Sequence, residues 1–268
     1  MKLNLVKTLA VAATLACLGT VGVAHADALD DIKKAKKIRV ASAIGVPLFA
    51  FVDGQMKPTG SDVETAKLIA QDLGVSFELV EITNAARVPT IQTGKADILV
   101  SNLAITAERS KVVDFTVPYA TLDIIVGAPA NVDVKSYDDL KGKRIGVTRA
   151  TVNDSLVTQN AKGAEIVRFE DDATLITAAV SGQLDIISTQ TAVMAAMNDK
   201  RPNNPLKVKF VQQELNLGIA LPKGETKLKE VLDNWIITNF KNGKLNAVFS
   251  KFHGRDLPAD LVDRKPPQ

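Results

Sequence analysis

An arginine one turn after a helix start is the sequence feature best suited to hold a charged ligand. Thr106 and Arg109 follow a predicted strand that ends near Asn102. Thr106 is a typical N-cap residue, and the free backbone N–H groups beyond it, together with the guanidinium of Arg109, suit a carboxylate. The alternative is a surface turn in which Arg109 pairs with Glu108 or Asp114. The residue types alone favour neither interpretation.

The segment 1–26 has the parts of a cleaved signal peptide. Two early lysines precede an uncharged apolar run over residues 9–23, and Ala24-His25-Ala26 has the small-x-small form of a cleavage site. This run is shorter than the roughly 20 residues that span a membrane. Alternatives are a retained anchor and lipid attachment at Cys17, which lacks the leucine usual three residues earlier. We expect cleavage before Asp27 and a soluble, exported mature protein.

Composition excludes much catalytic chemistry from the mature chain. The 268 residues are 46% hydrophobic, enough for about two domains with buried cores. Without the signal peptide the chain has 31 basic and 30 acidic residues. This balance indicates no nucleic-acid partner. No cysteine and one histidine, His253, remain, which excludes disulfides, thiolate nucleophiles and histidine pairs. His253 ends the last predicted helix, as a helix-terminus residue would. We expect no metal, no cofactor and no enzymatic activity.

Short apolar runs alternate with amphipathic segments, a pattern typical of an α/β protein with largely parallel sheets. The clearest helix is predicted over residues 63–73, with Asp62 as its N-cap and Gly74 at its end. A second helix is predicted over residues 226–240, with Trp235 in the core. Strands are predicted at residues 38–43, 75–82, 96–102, 123–128, 144–147, 165–169, 185–188, 208–211 and 217–221.

A short pattern occurs twice, 88 residues apart. Gly94-Lys95-Ala96-Asp97 and Gly182-Gln183-Leu184-Asp185 each follow a predicted helix and open a strand. One interpretation is a coincidence between two common turns, since glycine suits a helix C-terminus and aspartate suits the turn beyond it. The other is two similar lobes, in which Asn102 and Gln190 face each other across a cleft.

Five ordered motifs cover most of the mature chain. They read GSDV at 60–63, RVPTIQTGKAD at 87–97, ITAERSKVVDF at 105–115, PY at 118–119 and LKGKRIGV at 140–147. Together they resemble the signatures of the amino-acid-type periplasmic solute-binding proteins of ABC transporters (bacterial extracellular solute-binding protein family 3).

The resemblance implies a fold and a division of the chain. The implied fold is the α/β two-lobe periplasmic binding protein of type II, a Venus flytrap in which each lobe is a sheet flanked by helices. Lobe 1 would comprise residues 27–122 and 218–268, and lobe 2 residues 123–217. Two crossing strands, near residues 121–125 and 217–220, would form the hinge.

The resemblance also assigns roles to matching residues. Arg109 occupies the position that holds the ligand α-carboxylate, and Thr151, followed by Val152, occupies that of a second-lobe hydroxyl completing this site. Asn102 and Ala104 stand where relatives offer hydroxyl or backbone groups, and Ala104 can contribute only its main chain.

Positions 46, 84, 87, 149 and 190 determine which class of ligand is expected. Arg87 matches an arginine that reaches the side-chain carboxylate in acidic-amino-acid binders, although it could instead brace the helix after it. The family usually has an aspartate at Gln190 to pair with the ligand ammonium, and a glutamine brings no charge. Val46 and Asn84 replace aromatic rings that sandwich the ligand. With Arg149 also nearby, we expect a positive pocket for an acidic amino acid or an organic acid.

The function implied is that of a monomeric binding protein that delivers a small polar solute to the transmembrane subunits of an ABC permease. Two alternatives remain. One is a dehydratase-like enzyme on the same scaffold, which would need a titrating group in the cleft. The other is a sensor that docks on a receptor instead of a permease.

Overall fold

The structure, a computed structural model, describes residues 27–265, which form two five-stranded sheets, a short hairpin and flanking helices. The predicted signal peptide, with Cys17, lies outside the described residues. No helix within residues 27–265 has the length and apolar character of a membrane span.

The elements follow each other in an alternating order. The strands are β1 (Lys37–Ala43), β2 (Phe51–Val52), β3 (Pro58–Thr59), β4 (Ser76–Ile82), β5 (Ile98–Leu99), β6 (Asp114–Phe115), β7 (Ala120–Pro129), β8 (Arg144–Thr148), β9 (Glu165–Phe169), β10 (Ile187–Gln190), β11 (Leu206–Leu217) and β12 (Ala220–Leu221). The helices are α1 (Ala28–Ala35), α2 (Ser61–Asp72), α3 (Arg87–Gln92), α4 (Ala107–Ser110), α5 (Val152–Asn160), α6 (Asp172–Val180), α7 (Thr191–Asp199), α8 (Thr226–Lys241) and α9 (Lys244–His253). Single 3₁₀ turns lie at Asp138–Leu140 and Leu261–Asp263.

Each sheet has four strands that run in one direction and a single antiparallel strand, β12 in the first sheet and β7 in the second. The first sheet has the order β4-β1-β5-β12-β6, and the second has the order β11-β7-β10-β8-β9. The strands β4, β1 and β5 are parallel, as are β10, β8 and β9, whereas β12, β6, β7 and β11 pair in antiparallel fashion. The α/β class is confirmed, and four of the five strands in each sheet run in one direction, as expected of largely parallel sheets; β12 and β7 are the exceptions.

The strands β7 and β11 connect the two sheets. Their ladder extends from the pair Leu217 and Ala120 to the pair Leu206 and Pro129. The chain enters the second sheet at β7 after leaving β6, and it returns to the first sheet between Leu217 and Ala220 of β12. Nine of the ten residues of β7 are buried, as expected for a strand that has neighbours on both edges and is covered on both faces.

The repeated sequence pattern occupies matching places in the two sheets. Gly94 and Gly182 both adopt left-handed backbone angles, with φ of 65° and 77°. Each follows a helix and leads into the third strand of its sheet, β5 in the first and β10 in the second. The left-handed turn explains why glycine recurs there. The pattern therefore marks equivalent positions in two halves of similar topology.

The start of α2 differs from the sequence prediction. Gly60 is the N-cap, with φ of 117°, and a Cβ on it would lie 2.3 Å from the backbone oxygen of Phe49. Asp62 is therefore not the N-cap; it lies in the first turn, buried, where Oδ1 accepts a hydrogen bond of 2.8 Å from the Tyr119 hydroxyl. The second predicted helix is confirmed as α8, with Trp235 in the core as expected.

Candidate functional site

A narrow polar cavity of about 30 Å³ lies between the two sheets. The elements of the first sheet contribute Asn84, Arg87, Asn102, Ala104 and Arg109 to its lining. Those of the second sheet contribute Thr148, Thr151, Val152, Asn153, Asp172, Thr189 and Gln190. The connecting strands β7 and β11 add Leu122, Ile124 and Leu215. This volume is well below the roughly 300–1,000 Å³ of small-molecule sites, so the two sides must separate to admit an amino acid.

Eight of the nine site residues named from the sequence line this one cavity. Asn102 and Gln190, expected to face each other from the two halves, are among them. Val46 does not belong to the lining. It is 2% exposed and packs in the core, where its backbone exchanges two hydrogen bonds with that of Ala50. Arg149 also lies outside, because its guanidinium pairs with Glu170 at 3.0 Å on the surface.

Arg109 contacts both sides of the cavity. Thr106 caps α4 as predicted, and its Oγ1 accepts a hydrogen bond from the Arg109 backbone N–H. The guanidinium donates from Nη1 to the Ala104 carbonyl at 2.9 Å and from Nη2 to the Ala150 carbonyl at 3.3 Å. It forms no ion pair with Glu108, so these contacts favour the binding-site interpretation over the surface turn.

Arg109 forms no ion pair among residues 27–265, and the charge of Glu108 acts on it only at longer range. Burial, reinforced by the positive charge of Arg87, lowers the pKa of the Arg109 guanidinium to about 9, which leaves it protonated at neutral pH. Neutral carbonyl oxygens accept its hydrogen bonds without compensating its charge. A carboxylate on a bound molecule would supply that charge and form stronger hydrogen bonds.

Arg87 is buried behind the cavity surface and is held by neutral acceptors. Nε donates to the Asn84 carbonyl at 3.0 Å, and Nη1 donates to the Ser101 carbonyl at 3.3 Å and to Oδ1 of Asn102 at 3.2 Å. Burial lowers the pKa of this guanidinium. Arg87 therefore braces the loops around it and also places a positive charge at the cavity.

A chain of buried groups positions Asn102. This residue has a left-handed backbone with φ of 36°, a conformation that costs free energy for a residue with a side chain. Its N–H donates to the Tyr119 hydroxyl at 3.2 Å, and that hydroxyl donates to Asp62. Burial raises the pKa of the Asp62 carboxyl to about 7. These hydrogen bonds fix the backbone that follows β5 and so place Asn102 at the cavity.

Two polar residues approach from the second sheet. Thr151 caps α5, since its Oγ1 accepts from the Asp154 N–H at 3.3 Å and donates to the Thr148 carbonyl at 2.6 Å. Gln190 is 6% exposed, and its Oε1 has no hydrogen-bond partner among residues 27–265. A buried acceptor without a donor is costly, so a donor on a bound molecule would stabilise it.

Asp172 is a cavity residue that the sequence analysis missed. It is the first residue of α6 and is 5% exposed; Oδ1 accepts from Thr148 Oγ1 at 2.5 Å and Oδ2 accepts from Asn84 Nδ2 at 3.2 Å. Burial raises the pKa of its carboxyl. A signal was present, because position 172 shares the helix face of Leu175, Ile176 and Ala179, and an acid on an apolar stripe is unusual.

His253 ends α9, as expected, and lies outside the cavity lining. Its Nε2 is 3.0 Å from Ser61 Oγ, and its ring stacks on Phe249 with 4.0 Å between centroids. Burial and the charge of Arg255 lower the pKa of His253 to about 4, so the imidazole is neutral at neutral pH. These contacts make it a packing residue between α2 and α9.

Two sheets of matching topology, joined by crossing strands around a polar cleft, define a type II periplasmic binding protein. Residues 38–255 match the family of bacterial extracellular solute-binding proteins, family 3, and the chain belongs to that family.

Individual relatives support this assignment. The chain is 30% identical over 235 residues to the L-cystine-binding protein TcyJ of Escherichia coli (strain K12), covering 85% of this chain and 87% of TcyJ. It is 28% identical over 269 residues to the ABC transporter glutamine-binding protein GlnH of Bacillus subtilis (strain 168), covering 96% and 98%. Among solved structures, the ancestral amino acid-binding protein AncCDT-1, a precursor of cyclohexadienyl dehydratase, superimposes with a TM-score of 0.77 at 32% identity, covering 84% and 98%. The similar proteins are thus amino-acid-binding proteins.

Proposed function

We propose that this protein is the extracytoplasmic substrate-binding subunit of an ABC importer and captures a small polar amino acid between two lobes. The observation that carries the proposal is the position of Arg109, whose guanidinium donates to Ala104 on one side of the cavity and to Ala150 on the other. A ligand carboxylate at this point would contact both sides at once and favour the closed form. A permease that recognises the closed form would then receive the ligand.

The proposed lobes are residues 27–122 with 218–268, and residues 123–217. Sheet membership supports this division, since β1 to β6 and β12 lie on one side of it and β8 to β11 on the other. The proposed protein acts as a monomer and is exported by the predicted signal peptide. Sequencing the N-terminus of the protein recovered from periplasm tests the export step, and Asp27 is the expected first residue.

Charge supports an acidic amino acid as the preferred ligand. Two guanidiniums, those of Arg87 and Arg109, and one carboxylate, that of Asp172, belong to the lining. An acidic amino acid carries the opposite set, two carboxylates and one ammonium. The names of TcyJ and GlnH point to neutral polar amino acids, so cystine and glutamine belong in the same comparison.

Native mass spectrometry of the protein purified from cells, followed by calorimetry with the released compound, tests this function. We expect a retained amino acid with micromolar or tighter affinity, and calorimetry with L-glutamate, L-aspartate, L-cystine, L-glutamine, succinate and glutarate ranks the classes. Tight binding of L-lysine or L-arginine would contradict an anionic ligand. No binding of any amino acid would contradict the function itself.

A dehydratase-like enzyme is the second candidate, and Asp172 is the observation that favours it. Its carboxyl faces the cavity, and burial raises its pKa, as an acid catalyst would require. The relationship to a dehydratase precursor points the same way. Mass spectrometry of the bound compound before and after incubation distinguishes the two functions: an unchanged mass supports binding alone, and loss of water supports the enzyme.

A further inference from the structure

Asp172 presents a carboxyl group to the cavity without an ion-pair partner among residues 27–265. Its carboxylate is bonded to Thr148 and Asn84, both neutral donors, and no basic side chain within residues 27–265 forms an ion pair with it. Arg87 acts on it only at longer range. A buried carboxylate in this state is costly unless a cation approaches it.

The carboxylate has the capacity to accept more hydrogen bonds. A carboxylate offers about four lone-pair directions, and Thr148 and Asn84 occupy two of them. Arg87 cannot readily take the others, because its hydrogen bonds are directed to Asn84, Ser101 and Asn102. Asp172 belongs to the lining of the cavity, so a bound molecule can reach its carboxylate.

Charged and acceptor groups are segregated across the cleft. Both guanidiniums, Arg87 and Arg109, come from elements of the first sheet, whereas the acceptors Asp172 and Gln190 come from elements of the second sheet. The Gln190 Oε1 has no hydrogen-bond partner within the described chain. A dicarboxylate would satisfy the two arginines but leave Gln190 Oε1 without a donor and Asp172 without a cation. A molecule with carboxylate and ammonium groups would satisfy both sides.

We propose that Asp172 is a specificity-determining residue that pairs with an ammonium group of the ligand, so that the cleft selects amino acids over acids that lack the amino group. The inference rests on the proposed function of this cleft as a solute-binding site. In this chain the negative charge that pairs with the ligand ammonium would lie at the start of α6 instead of at position 190, where the family usually has an aspartate. The ammonium is either the α-amino group or a second amino group farther along the ligand.

Calorimetry with matched probes tests this role on the whole mature protein. The pairs are L-glutamate with glutarate, and L-cystine with 3,3′-dithiodipropionate, in which only the amino groups are missing. For the wild-type protein we expect the amino acid of at least one pair to bind 100-fold or more tightly than its partner. Preference in the glutamate pair assigns the α-amino group, whereas preference in the cystine pair, whose partner lacks both amino groups, shows only that an amino group is recognised.

The variant Asp172→Asn keeps an acceptor and a donor for Asn84 and Thr148 but removes the charge. This variant should bind the amino acid more weakly but bind the partner without amino groups as the wild type does. The ratio of the two dissociation constants should therefore fall at least tenfold. Asp171→Asn is the matched control, because Asp171 caps α6 and an asparagine caps equally well; its ratio should equal that of the wild type. If Asp172→Asn does not fold, equal affinities within both pairs for the wild-type protein would still overturn the role of Asp172.

Equal affinities within both pairs, or an unchanged ratio in Asp172→Asn, would overturn the role of Asp172 while leaving a functioning binding protein. Binding of neither member of either pair, nor of any other amino acid, would instead overturn the proposed function.

Discussion

Asn84 reaches across the cleft and donates from its Nδ2 to Oδ2 of Asp172, 3.2 Å away. Asn84 follows β4 of the first sheet, and Asp172 begins α6 beside the second sheet. The sequence indicated only that Asn84 replaces an aromatic ring that would flank the ligand. Its amide instead forms a direct bond between the two halves, next to the proposed ammonium site.

This contact leads to a kinetic prediction. Asn84→Ala should raise the dissociation rate of the bound amino acid roughly five- to tenfold, because one net hydrogen bond of about 1 kcal/mol that holds the two sides together is lost. The association rate should change less, since ligand capture on Arg109 is retained. Stopped-flow measurement of both rates checks this. A dissociation rate equal to that of the wild type would show that the bond does not contribute to closure.

Asp62 leads to a prediction about pH. Its folded-state pKa of about 7 lies above the unfolded value of about 3.9, so the folded protein retains a proton that the unfolded chain releases between pH 4 and 7. Stability from this group is complete below pH 4 and is lost as pH rises to 7. Asp62→Asn cannot titrate and should not show this loss. The free energy of unfolding of the variant minus that of the wild type should therefore rise by up to about 4 kcal/mol between pH 4 and 7.

Denaturant unfolding of both proteins at pH 4, 5.5, 7 and 8 measures this difference. His253 acts in the opposite direction, because its folded pKa of about 4 lies below the unfolded value of about 6.5 and its contribution is lost as pH falls. That effect is common to both proteins and cancels in the comparison. A difference that stays constant with pH would contradict the protonated state of Asp62.

The start of α2 leads to a prediction about stability. Gly60→Ala should destabilise the fold by about 2 kcal/mol or more, because its backbone is left-handed and the new methyl group would collide with the Phe49 carbonyl. Gly54→Ala is the control, since nothing lies within 4 Å of a Cβ there and its φ is not left-handed. Thermal unfolding measures both. Equal melting temperatures for the two variants would refute the close approach.

Local sequence signals predicted the elements that depend on local physics. The strand at residues 165–169 and the cap at Thr106 agree with the structure, because apolar runs and capping side chains act over a few residues. The glycines of the repeat were likewise visible, since each forms a left-handed turn. The predicted strand at residues 96–102 is shorter in the structure, where only Ile98–Leu99 pairs, because the chain then turns towards the cavity.

Long-range contacts decided what the sequence could not show. Asp62 looks like an N-cap until Tyr119, 57 residues away, is placed beside it. Asp172 looks like one of two acids at a helix start, and only its contact with Asn84, 88 residues away in the chain, reveals its place between the two halves. The antiparallel return of β11 along β7 also has no local signature.

The central claim is that the guanidinium of Arg109 holds the carboxylate of an amino acid in the cleft, and one comparison of dissociation constants tests it most directly. Calorimetry with the amino acid that the wild type binds best is repeated on Arg109→Ala and on Arg149→Ala, whose arginine pairs with Glu170 outside the cavity. Arg109→Ala should weaken binding at least 100-fold, about 3 kcal/mol or more, because a charged hydrogen-bonded pair is lost from a mostly buried site. Arg149→Ala should bind like the wild type. A dissociation constant for Arg109→Ala within twofold of the wild-type value would contradict the claim.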